Sequence, residues 1–299
     1  MINYLLFLLY KIFKFIVLIL PKSLIKLFLD ALAYLIYLLN IEHQKYTKAN
    51  LDFVYQNRIS EDRKIKIMKN SYKNLVYNLY EFVENQTLDL NGFESKITIE
   101  NEQYILDALK NKRKIILITA HYGNWEYGNS FISLKYAPTT MVGRPMNNKF
   151  LNKELNAIRT KNNTQMLTKK DASRGLVKAL KENRILGLVI DQHNESGIDI
   201  QFLGHKVKQT DSTSRLALKF DALIIPLFFT MESFGKYTAN FYEPIDPRNF
   251  QGADNILKLT QSQASIMEKH ILSKPDQWFW QHKRFKEYNK EIYTKDTHE

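Results

Sequence analysis

Residues 114–128 of this chain, KIILITAHYGNWEYG, join a buried-strand pattern directly to an exposed polar turn, and few folds accommodate that junction. Ile115, Ile116, Leu117 and Ile118 make a short, largely β-branched block between charged flanks, which is how a strand covered on both faces reads. The block runs into His121. Tyr122, Gly123, Asn124 and Trp125 then break it, and residues 126–135 have the composition of a short helix. A strand-to-helix turn of this kind sits at the carboxyl end of a strand in an α/β sheet, where unpaired N–H groups and the positive end of a helix dipole favour chemistry.

The same texture continues on both sides. From Ile97 onward, short apolar blocks at 97–100, 139–142, 186–190 and 223–229 alternate with amphipathic stretches at 102–110, 147–161, 172–182, 212–220 and 254–272. That alternation predicts an α/β fold with a mainly parallel central sheet flanked by helices. Residues 238–245 read as an antiparallel edge strand, and the polar stretch after Asp191, with Gly197 and Gly204, reads as a loop.

The N-terminal region has a different character. Residues 1–20 are large and apolar apart from Asn3, Lys11 and Lys14, and Pro21 ends the run. A spanning helix needs about 20 apolar residues. The two inboard lysines suit an interfacial helix better than a clean span, with a marginal span and snorkelling heads as the other option. No basic residue precedes the run and no small-residue cleavage site follows it, so the segment is expected to remain as an anchor. Residues 23–39 form a second apolar helix that suits either the core or a lipid-facing surface, with Asn40 as its cap. Residues 50–55 and 64–84 are helical in period, and Tyr72, Tyr77 and Tyr80 form a packing stripe. The expected organisation is therefore membrane-associating helices over 1–40, a helical lead-in over 41–96 and an α/β core over 97–299.

Two buried-strand blocks end in side chains that can do chemistry, His121 and Asp191, and parallel strands would put both on one rim. A hydroxyl is a poor nucleophile, so acyl transfer to it needs a base near neutral pKa, strengthened by a carboxylate that fixes the imidazole tautomer. His121 with Glu126 supplies both. Arg144, fixed by Pro145, could hold a phosphate near that rim, since guanidinium binds two oxygens at once. G-x-S-x-G, H-E-x-x-H, P-loop and dinucleotide signatures are absent, and the spacing of His193 with His121 and Asp191 does not specify a metal site. With no cysteine, disulfides, thiolate metal sites and cysteine nucleophiles are excluded. A net charge of +12 calls for an anionic partner, and no zinc-finger, RNP-like or helix-turn-helix pattern points to nucleic acid.

Several ordered motifs narrow this further. AHYGNWE at 120–126, GRP at 143–145, IRTKNN at 158–163, VIDQ at 189–192, TDSTSRLALKFDALIIPLF at 210–228 and WFWQHKRFK at 278–286 together resemble the late acyltransferases of lipid A biosynthesis, within the H-x4-D/E superfamily. The resemblance implies a glycerol-phosphate-acyltransferase-like core and an inner-membrane enzyme whose catalytic part faces the cytoplasm. It also implies transfer of a fatty acyl chain from acyl carrier protein to a hydroxyl of a Kdo-bearing lipid A precursor. By position, His121 would be the general base and Glu126 its partner. Arg144 and Arg159 would meet acceptor phosphate or orient the site, Asp191 and Gln192 would position those groups, and Asn124 would join the substrate-contacting set. The donor thioester is already activated, so no metal or organic cofactor is required. Acylation of another membrane lipid, a lysophospholipid or an aminolipid, is the alternative. After the DQ pair, His193, Asn194, Glu195 and Ser196 depart from the family pattern, which implies a different acceptor or chain-length preference.

Overall fold

A computed structural model describes residues 2–294. Met1, the start of the expected anchor, and residues 295–299, the end of the expected core, lie outside the described residues.

Two apolar helices lead, α1 (Ile2–Ile19) and α2 (Lys22–Leu39), with Pro21 at the break between them. α2 buries Ile25, Leu29 and Ala33, one stripe at helical spacing, and leaves Leu24, Leu27, Leu35 and Leu38 exposed. α1 buries Val17 and exposes Leu5, Leu8, Ile12, Phe15 and Ile19. α3 (Ile41–Tyr55) follows, and then α4 (Glu61–Glu84), which is opened by the Ser60 side chain accepting from the Arg63 N–H. α4 is the helical spine: Tyr72 joins the main core while Val76, Tyr77, Tyr80 and Val83 pack with the buried faces of α1 and α2.

After a short α5 (Leu90–Glu94), the chain alternates through β1 (Ile97–Glu100), α6 (Gln103–Lys110), β2 (Lys114–Thr119), α7 (Tyr127–Lys135), β3 (Thr139–Val142), α8 (Lys149–Arg159), β4 (Gln165–Leu167), α9 (Ala172–Lys181) and β5 (Ile185–Val189). β6 (Ile198–Phe202), β7 (His205–Gln209), α10 (Ser212–Phe220), β8 (Ala222–Ser233), β9 (Lys236–Phe241) and α11 (Asn255–Ser273) complete it. Seven strands form one sheet in the order β1-β9-β8-β2-β5-β3-β4, parallel at every step except β8 to β9. The fold is thus α/β with a mainly parallel sheet flanked by helices. β2 lies between β8 and β5. Its Ile116 and Ile118 enter the core on one face, Ile115 and Leu117 the core on the other, as alternation along a doubly covered strand requires.

Two expectations are corrected. The 238–245 segment is antiparallel to β8 but is no edge, because β1 pairs in parallel along the far side of β9. Alternation reports which residues are buried and not which strand lies alongside. The polar stretch after Asp191 is not a plain loop but the hairpin β6–β7, turning at Leu203 and Gly204, both with positive φ (53° and 80°). Its charged outward residues, Lys206 and Lys208 among them, masked the alternation.

Candidate active site

Strand register builds the centre of the site. β2 and β5 run parallel with Thr119 opposite Val189, and the Ile190 N–H donates to the Thr119 carbonyl at 3.1 Å. Two residues past each strand end, His121 and Asp191 therefore stand side by side. The imidazole Nδ1 lies 2.7 Å from Asp191 Oδ1, while Asp191 Oδ2 accepts from the His121 backbone N–H at 3.0 Å and from the Trp278 indole N–H at 2.8 Å. Burial opposes the charge on Asp191, yet the adjacent imidazole and these hydrogen bonds prevail and hold its carboxyl down to about 2. An ionised acceptor at Nδ1 fixes a proton there and leaves Nε2 as the ring nitrogen that can take one up from a substrate. His121 Nε2 has no partner among the described residues, and the side chain keeps a quarter of its surface exposed.

This pairing corrects the expected one. The carboxylate on Nδ1 is Asp191, brought there by strand register, whereas Glu126, five residues along the chain, is paired with Arg159. Arg159 Nε donates to Glu126 Oε2 at 3.1 Å and Nη2 donates to Oε1, the two-pronged geometry that guanidinium favours. A turn whose Gly123 has φ +51° carries Glu126 toward the C-terminus of α8. A Cβ at Gly143 would lie 2.8 Å from the Met166 methyl, so it is that side chain, and not Arg159, that the glycine accommodates. Arg159 is thus an already neutralised cation. Arg144, exposed just after β3, has no ion-pair partner among the described residues. Gln192 is half-buried beside Asp191. Asn124, expected to touch substrate, is instead fully buried under the turn; its N–H donates to the Phe229 carbonyl at 3.0 Å.

Sequence reasoning missed two supports. The first is the C-terminal strap. Tyr122 and Trp278 form an antiparallel bridge, and the Phe279 N–H donates to the His121 carbonyl at 2.9 Å. The His193 N–H donates to His282 Nε2 at 3.1 Å, and buried Arg284 donates to the Lys208 carbonyl at 2.7 Å. The dense aromatic and basic run at 278–286 was the available signal. The second support is a polar ladder on α4. Asn74 and Asn78 both donate to the Gly123 carbonyl, at 3.1 and 2.7 Å, and Glu81 accepts from the Tyr127 hydroxyl at 2.7 Å. Their i, i+4, i+7 spacing puts them on one face of a buried helix, which was readable as a pattern though its target was not.

Two cavities meet at Trp125, whose ring centroid lies 5.2 Å from that of His121. A groove of about 600 Å³ between α1, α4 and α8 is lined by Phe13, Leu79, Phe82, Leu155, Arg144 and Arg159, with Trp125 and Glu126 among its other walls. A narrower apolar space of about 40 Å³ lies between Trp125, Met141, Gly187, Leu227 and Phe229 at the sheet.

A base with a fixed tautomer, beside apolar space and a free guanidinium, is suited to moving an acyl group onto a hydroxyl of an anionic lipid. The chain matches the bacterial lipid A biosynthesis acyltransferase family over residues 1–287. It is 26% identical over 187 residues to the lipid A biosynthesis lauroyltransferase of Escherichia coli, covering 62% of this chain and 60% of that protein. It is 27% identical over 188 residues to the lipid A biosynthesis acyltransferase of Haemophilus influenzae, covering 60% and 59%. It is 20% identical over 196 residues to the phosphatidylinositol mannoside acyltransferase of Mycolicibacterium smegmatis, covering 64% and 63%. The chain thus spans roughly three fifths of the length of each of these relatives. The crystal structure of the 1-acyl-sn-glycerophosphate acyltransferase PlsC from Thermotoga maritima aligns with a TM-score of 0.38 at 13% identity, over 85% of this chain and 100% of that one. This chain belongs to the bacterial lipid A biosynthesis acyltransferase family.

Proposed function

We propose that this member of the lipid A acyltransferase family transfers a fatty acyl chain from acyl carrier protein to a hydroxyl of a Kdo-bearing lipid A precursor, on the cytoplasmic side of the inner membrane. The observation that carries the reading is His121, its Nδ1 fixed by ionised Asp191 and its Nε2 open, next to a lipid-sized groove with an unpaired arginine. The acceptor hydroxyl oxygen attacks the thioester carbonyl carbon while His121 Nε2 takes its proton. The tetrahedral intermediate then collapses, the C–S bond breaks, and the imidazolium returns the proton to the departing thiolate. The products are an ester and the free carrier thiol. Asp191 stabilises the imidazolium between the two steps.

Glu126 belongs to the catalytic set through Arg159, which it holds beside the turn. Arg144 meets an acceptor phosphate, and Gln192 and Asn124 keep their neighbours in place. In this scheme residues 1–40 attach the enzyme to the membrane, 41–96 brace the catalytic turn through α4, and 97–299 carry the chemistry. The excess of +12 suits an acceptor, a bilayer surface and a carrier protein that are all anionic.

A second reading is acylation of a different membrane lipid, favoured by the similarity to an enzyme named for a phosphatidylinositol mannoside. Mass spectrometry of lipid A from a deletion strain separates the two. Loss of one acyl chain, restored by the wild-type gene and not by His121→Ala, is expected. An unchanged acyl count transfers the assignment to the second reading.

A further inference from the structure

The N-terminal helix is part of the groove wall. Leu9 and Phe13 of α1, Leu79 and Phe82 of α4, and Leu151 and Leu155 of α8 line it. Further round α1 from Phe13, and bordering Leu9, which is itself half exposed, Leu5, Leu8, Ile12, Phe15 and Ile19 form an exposed apolar stripe at helical spacing. One helix therefore faces a lipid-compatible exterior on one side and the groove on the other.

α1 is also the main support of α8. None of the described residues of α8 is fully buried. Phe150 packs on Tyr4 and Phe7 with centroids 5.7 and 5.5 Å apart, Glu154 pairs with Lys11 at 2.6 Å, and Asn148 donates to the Asn3 carbonyl at 2.7 Å. α8 ends in Arg159, the residue bonded to Glu126. Apart from Glu154, which Lys11 neutralises, the charged residues of the groove lining stand where it meets the catalytic turn, at Glu126, Arg159 and Arg144, with Trp125 beside them.

From this arrangement we infer that the groove between α1, α4 and α8 holds a hydrocarbon chain of the lipid acceptor, with an anionic group of that lipid at Arg144, so that α1 is a substrate-binding element as well as an attachment. The occupant follows from the chemistry of the walls. An apolar channel that ends in an unneutralised guanidinium fits an amphiphile with a negative head. A helix whose outer face rests among lipids lets such a chain pass from the leaflet without crossing water. A thioester donor carried by a soluble protein has no use for that route.

The inference rests on the acyl-transfer reading and is tested separately from it. With the full-length enzyme in vesicles, Leu79→Trp and Leu155→Trp, which fill the groove, are expected to raise KM for the long-chain phosphorylated acceptor at least tenfold. They should leave kcat, the donor KM and KM for a short-chain, water-soluble acceptor within twofold. Ile12→Trp on the outer face serves as the control for altered membrane attachment, and thermal midpoints confirm that the variants fold. A rise in donor KM instead, or no change in either constant, overturns the assignment. A binding readout needs no turnover: phosphatidylglycerol with brominated chains should quench the Trp125 emission, read as wild type minus Trp125→Phe. Absence of that quenching overturns the groove assignment. If the wild type acylates no lipid A precursor yet the quenching is present, the lipid A reading fails and the groove stands as the site of another anionic lipid acceptor.

Discussion

Asp191 has the strongest electrostatic environment of the site, and its neighbours make separate predictions. Asp191→Asn keeps the shape but removes the charge that fixes the Nδ1 proton, and kcat should fall on the order of 10³- to 10⁴-fold with little change in KM. Steady-state kinetics on the purified variant checks this; a loss confined to KM would contradict it. Trp278→Phe deletes one donor to the buried carboxylate, an interaction with a charged group worth about 1.5–3 kcal/mol, so stability should drop by that order in denaturant titration. Glu126→Gln tests the corrected pairing. With Asp191 on Nδ1 and Glu126 holding Arg159, this variant should raise acceptor KM more than it lowers kcat, whereas His121→Ala should abolish turnover. Equal kcat losses in the two variants would restore Glu126 as the orienting carboxylate. Trp125 is half-buried, packs at a steep angle against His121 and walls both cavities, a position that no local pattern reveals.

Among the elements, α4 does more than lead into the core. Asn74 and Asn78 on its buried face aim two amides at one carbonyl, that of Gly123. Asn78→Ala removes the shorter of the two bonds and leaves the carbonyl to Asn74, so it should cost about 0.5–1.5 kcal/mol, and the site should loosen with it, so that activity is lost at lower denaturant than the global transition. Coincident loss of activity and of helical signal would show that the ladder braces the whole core and not the turn. Gly123→Ala is more severe. At φ +51° a side chain is strained, and a Cβ would run into the Phe229 carbonyl. The helix and strand periods of α4, β2 and β5 were legible before the structure, because burial on one or both faces leaves a direct mark on residue choice. The short β4 and the hairpin β6–β7 were not, since three residues are too few to show a period and the hairpin's charged outward positions mask it.

For the molecule as a whole, a buried histidine, His270, and a half-buried one, His282, set an acid limit. Burial holds His270 down to about 3 and His282 down to about 4, against an ordinary value near 6.5. Both are neutral in the fold and would take up a proton on unfolding, so stability is fully present above about pH 6.5 and is lost progressively as pH falls toward those values. Each histidine contributes a slope of at most about 1.4 kcal/mol per pH unit across that window. Asp191 adds a loss of the same sign below about pH 4, continuing as pH falls through about 2. Thermal midpoints measured from pH 8 to pH 4 should decline chiefly below pH 6.5, and a flat profile would contradict the neutral burial of these side chains. The sequence by itself determined the α/β alternation, the apolar front and the strand-end position of His121 and Asp191, since each is written in local periodicity and residue type. Tertiary structure alone decided the partners. Which carboxylate meets the imidazole depends on the register of two strands some 70 residues apart. That Trp278 closes over it, and that α1 walls the groove, depend on where distant segments fold back. Pairing across such separations is fixed by the packing of the whole core, and no short stretch of sequence carries it.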